Sequence, residues 1–318
     1  MRVGVGAVVL GVVAVRVDPG VVVEALRGIG IGSLLAALGL GLLTTVAAAG
    51  RWCLVARGLG LPLRFGTAVA ATYRAVLLNS LLPAGVLGDV DRAVTYGRRV
   101  SDVGRGARAV SVERVAGQVA IVVVGLAVVL AQPGVRGVLS AFALPASVVV
   151  AVLGLVVVVV WRGRSPESGT RSAVHTLLDR LRADVRTGVL ARGRWPGVLG
   201  LSMLAFAGYL ALFVVAARAA GVSAPVGSLL PLLVLGLLAM ALPCTIGGWG
   251  PREGVLALGF GAVGLGAAQG LATSVVYGVL ALVACLPGVV VVVAAPLRRA
   301  RTDDSARDRA REPWRSTP

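Results

Sequence analysis

LPAGVLGDVDR, from Leu82 to Arg92, and LPCTIGGWGPRE, from Leu242 to Glu253, are the two stretches on which the reading of this chain turns. Pro83, Gly88 and Arg92 in the first recur at identical spacing as Pro243, Gly248 and Arg252 in the second. Each stretch interrupts an apolar segment. The arm before the first, Thr67 to Leu82, spans roughly 24 Å at about 1.5 Å per residue; the arm before the second, Ser228 to Leu242, spans roughly 22 Å. Both fall short of the ~30 Å hydrocarbon core of a bilayer. Proline ends each arm, because it lacks an N–H and its ring clashes with the preceding helical turn. An arm too short to cross, a break and a return make a re-entrant hairpin. Broken helices in matching positions of two halves are the sequence sign of an inverted repeat built around a transport site.

The segments around these breaks are long apolar blocks. Ile31 to Gly50, Val115 to Gln132, Gly137 to Trp161, Gly197 to Ala217 and Ala219 to Pro251 carry no charge. Gly254 to Leu297 is likewise uncharged, and at twice the ~20 residues of one crossing it must hold more than one segment. In a chain 57% hydrophobic and 14% charged, this pattern excludes a soluble domain. Backbone groups in lipid must be paired internally, which leaves helices or a closed barrel, and these blocks lack the two-residue alternation of barrel strands. The expected fold is all-α: a polytopic membrane bundle of about six full spans plus two re-entrant hairpins, arranged as an inverted repeat. Val3 to Val15 reads as an uncleaved first span, with Arg16 snorkelling to the interface, because no small-x-small cleavage site follows it. One transmembrane domain then covers 1–297, in halves of about 1–132 and 137–297. A disordered, solvated tail covers 298–318.

Every basic residue is Arg, and the net charge is +17. Aromatic residues are 4% of the chain, so base-stacking side chains are scarce and nucleic acid is not the expected partner. The arginines instead cluster in loops: Arg51, Arg57 and Arg64; Arg92 to Arg108; Arg162 to Arg194; Arg298 to Arg315. By the positive-inside rule these four regions, and both termini, are expected on the cytoplasmic side of a bacterial inner membrane, touching anionic inner-leaflet lipids. Val174, Leu177, Leu178, Leu181, Val185 and Val189 fall at helical spacing in the third cluster, as expected of an amphipathic helix lying on the leaflet, with His175 at its surface. Cys53, Cys244 and Cys285 form no disulfide or metal spacing, and no cofactor is expected.

Charges inside apolar segments are costly, at least ~2.5 kcal/mol each at the bilayer centre, and mark function by default. Arg74, Asn79, Asp89, Asp91 and Arg92 lie around the first break, with Pro83 and Gly88 shaping it, and Glu113 and Arg114 open the next span. Asp89 and Arg92 stand one helical turn apart and are expected to pair. Arg252 and Glu253 follow the Gly-Gly-Trp-Gly turn of the second break, after Pro243 and Gly248. The expected site is a polar cavity between the hairpins in which arginines hold a lipid phosphate. The competing structural expectation is that the charges pair with one another and fix the hairpins. Arg218, at a helix end, reads as an interfacial anchor.

Together Asn79-Ser-Leu-Leu-Pro83, Gly88-Asp89 with Arg92, Ser111-Val-Glu113-Arg114, and Pro243 with Gly247-Gly248-Trp249-Gly250 and Arg252-Glu253 resemble the flippase-like family of the lysylphosphatidylglycerol synthase transmembrane region. That family usually has a second glycine before the Gly-Asp pair; here Leu87 takes its place. The resemblance implies two re-entrant hairpins and the movement of a charged phospholipid or polyprenyl-linked lipid between leaflets, without the soluble synthase domain, so a separate lipid-modifying enzyme is the expected partner. Two other functions are weighed against this one. One is a membrane-embedded transferase on a polyprenyl phosphate, with Asp89 or Glu113 as base. The other is a non-catalytic scaffold for cell-envelope lipid synthesis.

Overall fold

The structure is a computed structural model, and it describes residues 19–81, 86–131, 173–191, 193–240 and 250–293. All ten helices among the described residues are α-helical: α1 (Pro19–Arg27), α2 (Ile31–Gly58), α3 (Phe65–Leu81), α4 (Leu87–Arg99), α5 (Val103–Leu130), α6 (Ala173–Gly188), α7 (Trp195–Ala219), α8 (Val226–Met240), α9 (Pro251–Ala262) and α10 (Ala267–Cys285). Among the described residues, four segments are long and apolar enough to cross a membrane: Ile31–Gly58, Val103–Val129, Trp195–Ala219 and Ala267–Val293, the last continuing α10. The expected spans at Val3 to Val15 and Gly137 to Trp161, and the tail 298–318, lie outside the described residues.

The helix ends follow local chemistry. Asp102 caps α5 by accepting the backbone N–H of Arg105 at 2.8 Å. Arg218, in the last turn of α7, donates to the carbonyls of Val222 and Ala224 at 2.6 and 2.8 Å and so ties down the loop that follows the helix. Gly250 precedes Pro251 with φ +108, a conformation that side-chain-bearing residues rarely adopt, and its N–H donates to the Glu253 carboxylate at 2.6 Å.

Both expected hairpins are present as pairs of short helices. In the first, α3 and α4 lie so close that a Cβ added to Gly88 would fall 2.1 Å from the carbonyl oxygen of Ala75. The pairings Asn79 with Gly88 and Arg74 with Asp91 run antiparallel. In the second, Gly236 of α8 faces Leu256 of α9 and Gly259 faces Leu232, again antiparallel. Gly88 lets the arms of the first hairpin approach at backbone distance, as small residues do in helix pairs surrounded by lipid, whereas Gly236 and Gly259 make room for leucine side chains of the facing arm.

Helix α10 measures where each hairpin lies. At its start, Gly270 abuts Phe260, near the open end of the second hairpin. Further on, Ser274 and Tyr277 meet Arg252, near that hairpin's tip. Cys285 then meets Ser80, near the tip of the first hairpin, and Gly288 meets Tyr73. Val290 and Val291 come level with Gly66 and Arg99, at the first hairpin's open end. The two hairpins therefore open at opposite ends of the bundle, with their tips between, as the inverted repeat requires.

Two departures from the sequence reading concern α2 and α6. The first arginine cluster does not form one loop: α2 runs on through Arg51 and Arg57, and Arg51 is buried within it. The stop is set by Gly58, the positive-φ Gly60 (φ +68) and Pro62, not by the first charge. Helix α6 forms where expected, yet it docks on protein. Leu181, Val185 and Val189 pack on the buried cluster that holds Val55 and Leu59, and Arg108 of α5 donates to Asp184 at 2.6 Å.

Candidate functional site

The polar side chains of the first hairpin, α2, α5 and α7 converge on Glu113. Its side chain is 2% exposed, ten residues inside α5, which starts well before the span read from the sequence. One carboxylate oxygen accepts Arg51 Nε and Nη2 at 2.9 and 2.6 Å; the other accepts Arg92 Nη2 at 2.7 Å. Arg51 also donates to Ser202 of α7 at 3.2 Å, and Ser202 donates back to the Val198 carbonyl at 2.7 Å. Arg92 lies 3.3 Å from Asp89, which is the expected pair. Asp89 in turn takes Arg114 Nε and Asn79 Nδ2, both at 2.8 Å. Asn79 finally accepts the backbone N–H of Gly88 at 2.8 Å, which fixes the first turn of α4. Three guanidiniums thus face two carboxylates, leaving one positive charge in excess. Arg92 also covers the Trp52 ring, with its guanidinium carbon 4.6 Å from the centroid.

A second network stands apart. Arg252 is 1% exposed and Glu253 fully buried. Arg252 donates to Glu253 Oε1 through Nε at 3.1 Å and Nη2 at 2.6 Å, and to Ser274 Oγ at 2.8 Å. Ser274 donates to the same carboxylate oxygen at 2.9 Å. Tyr277 lies under the Arg252 guanidinium at 5.2 Å and stacks on Phe213 with ring centroids 3.7 Å apart.

Between the hairpin tips lies a pocket of about 180 Å³. Thr44, Thr45, Thr72, Ser80, Tyr209 and Tyr277 line it together with Arg252. A larger cavity of about 490 Å³ lies at the mouth of the first hairpin, where Arg74 donates to Asp91 at 2.6 Å.

Among the described residues, the arginines of the two breaks line different cavities. Arg252 lines the central pocket and Arg92 the mouth cavity, and each is joined to a carboxylate before any ligand arrives. A bare guanidinium in a low-dielectric interior is too costly, so the acids of each half are used at home. Arg74, Asn79, Gly88, Asp89, Arg92, Glu113 and Arg114 are brought together around the first hairpin; Arg252 and Glu253 form the second network. Pro83, Pro243 and Gly248 lie outside the described residues. Sequence reasoning missed Arg51, Ser202 and Trp52, and the hydroxyls of the central pocket. Unbroken helical apolar spacing through Trp52, Cys53 and Val55 was the signal for Arg51; single hydroxyls in apolar helices gave none.

One comparison decides the family. The model of the lysylphosphatidylglycerol synthase transmembrane region matches residues 1–302. The chain belongs to this family. With its spanning helices, membership makes the protein an integral membrane protein linked to lipid metabolism. The motifs that carried the resemblance are the parts of the two networks: Asn79, Gly88, Asp89, Arg92, Glu113 and Arg114 in one, Gly250, Arg252 and Glu253 in the other. No curated protein matches the chain.

Proposed function

We propose that this family member carries a charged lipid, a phospholipid or a polyprenyl-linked lipid, between the leaflets of a bacterial inner membrane. In this reading the arginine-rich end, where the first hairpin opens, faces the cytoplasm. The observation that carries the reading is the pocket between the tips of two opposed hairpins, which brings Arg252 and six hydroxyl-bearing side chains to the middle of an apolar bundle. A passage through a membrane needs a polar station at mid-depth and gates on both sides, and opposed hairpins supply both. At about 180 Å³ the pocket is below the ~300 Å³ of a small-molecule site, so it fits a phosphate-sized group and not a whole headgroup. Passage then requires the hairpins to part while the acyl chains stay in lipid.

The reading makes the protein a carrier and not an enzyme. Glu113 has both oxygens engaged by guanidinium donors, and Asp89 and Asp91 turn to different partners, Arg114 and Arg74. That arrangement serves a fixed scaffold better than proton transfer or a shared metal. The test is leaflet exchange in liposomes that hold the purified protein and a fluorescent anionic phospholipid, with dithionite reducing the outer-leaflet dye. Exchange at least several times faster than in protein-free vesicles is expected. No acceleration across anionic, zwitterionic and polyprenyl-phosphate probes would abandon the carrier reading.

A further inference from the structure

The turn that joins α4 to α5, at the open end of the first hairpin, reads Arg98-Arg99-Val100-Ser101-Asp102. It closes α4 with a left-handed cap around Ser101, whose φ is +56. The Asp102 N–H donates to the Gly97 carbonyl at 3.0 Å, and the Ser101 N–H to the Arg98 carbonyl at 3.4 Å. Glycine is the usual residue in such a cap, because a side chain crowds the backbone at positive φ. The chain holds 44 glycines, and every other positive-φ residue among the described ones is a glycine. Serine here carries a conformational cost, as residues held for function often do.

The neighbours of that hydroxyl have a definite chemistry. Ser101, Arg98 and Arg99 are all exposed, and the two arginines stand three and two residues before the serine. This is the charge pattern selected by protein kinases whose acidic grooves hold arginines ahead of the acceptor serine. A kinase cleft takes its substrate extended, so the last turn of α4 must unwind. Helix ends open at low cost, and a serine in the left-handed cap makes this one easier to open than a glycine would. Unwinding stops at Gly97. A Cβ there would fall 2.5 Å from Val103 Cα, and one on Gly106 would fall 2.5 Å from Gly97 Cα, so the two helices are locked together just behind the turn.

We infer that Ser101 is a phosphorylation site for an arginine-directed serine kinase that uses ATP. In the transfer, Ser101 Oγ bonds to the γ-phosphorus and the bond from that phosphorus to the β,γ-bridging oxygen breaks. ADP leaves with that oxygen, and the hydroxyl proton passes to the catalytic base of the kinase. The product sets a charge of about −1.5 to −2 beside Arg98 and Arg99. Arg99 is a wall of the cavity at the mouth of the first hairpin, so the modification resets the charge at that opening. The inference rests on the cytoplasmic orientation given above, where ATP is supplied, and not on the carriage of lipid.

The test incubates the detergent-purified full chain with magnesium-ATP and an arginine-directed serine kinase, then digests it with trypsin. The peptide from Val100 to Arg105 contains Ser101 as its only hydroxyl-bearing residue. It is expected to gain one phosphoryl group. Ser101→Gly, which suits the turn and lacks the hydroxyl, gains none there. Arg98→Gln and Arg99→Gln, at exposed positions, are each expected to slow the transfer about tenfold, the scale of one charge-assisted contact. An unlabelled wild type, or an unchanged rate in both arginine variants, overturns the inference. In sealed vesicles with the kinase outside, inside-out vesicles should be labelled and right-side-out ones should not. The reverse result would overturn the inference together with the assigned orientation, while leaflet exchange would still be decided by its own assay. In the chain recovered from its own cells the same peptide should carry a phosphate that phosphatase removes; its absence in both growing and stationary cells overturns the inference.

Discussion

Glu113 illustrates what single residues do here. It is an acid inside an apolar helix, tolerable because Arg51 and Arg92 each complete one of its oxygens. Removing one partner of a buried ion pair leaves the other charge uncompensated, at about 3–5 kcal/mol. Glu113→Gln is therefore expected to lower thermal stability strongly, since Arg51 loses the carboxylate it pairs with and Arg92 is left with Asp89 alone. Scanning fluorimetry in detergent checks it; a midpoint within a degree of wild type would show that the buried pairs carry little. Arg51→Gln should be destabilising as well, because it strips Glu113 and Ser202 together. Arg252→Gln belongs with these, but it also changes the central pocket. If Arg252 serves only Glu253, leaflet exchange per folded molecule stays at wild-type rate; if it holds the travelling phosphate, as proposed, exchange falls at least tenfold.

At the scale of helices, close approach is set by residues too small to keep backbones apart. Helices α2 and α7 meet where a Cβ on Gly208 would fall 2.5 Å from Thr44 Cγ2. That obstacle is the end of a side chain, not backbone, so it can be removed. Gly208→Ala alone is expected to cost about 1–3 kcal/mol through overpacking. Adding Thr44→Ser deletes the obstructing methyl and is expected to restore most of the loss, measured as the midpoint of thermal unfolding of both variants. Gly88→Ala has no such remedy, because its new Cβ would meet the Ala75 carbonyl itself at 2.1 Å. It should separate α3 from α4 and break the Asn79 bond to the Gly88 N–H.

For the whole molecule, the decisive feature is that two hairpins open at opposite ends and each packs on α10 at its inner end. Ser80 Oγ lies 3.5 Å from Cys285 Sγ, so the first hairpin touches α10 where a bond can be made. Ser80→Cys is expected to form a disulfide with Cys285 under mild oxidation, seen as a reduction-sensitive shift of peptide mass after proteolysis. If the hairpins must part for passage, the oxidised variant should exchange lipid at the protein-free rate and recover on reduction. Exchange unchanged in the fully cross-linked protein would place the path elsewhere.

Much of this was legible in the chain. Uncharged blocks, short arms and matched prolines predict a helical membrane protein with two hairpins, because burial in lipid forces long apolar helices and leaves a strong, local record. The pairing of Asp89 with Arg92 was legible for the same reason: both lie on one helix, a turn apart. What only the tertiary structure decided is which charge meets which across helices. Arg51 reads as the edge of a loop in isolation and becomes the centre of a buried network only when α5 brings Glu113 beside it. The hydroxyls of the central pocket come from different helices and carry no shared spacing. Local pattern is written by solvent, which acts on every residue where it stands; a site is written by neighbours distant in sequence, and packing alone selects them.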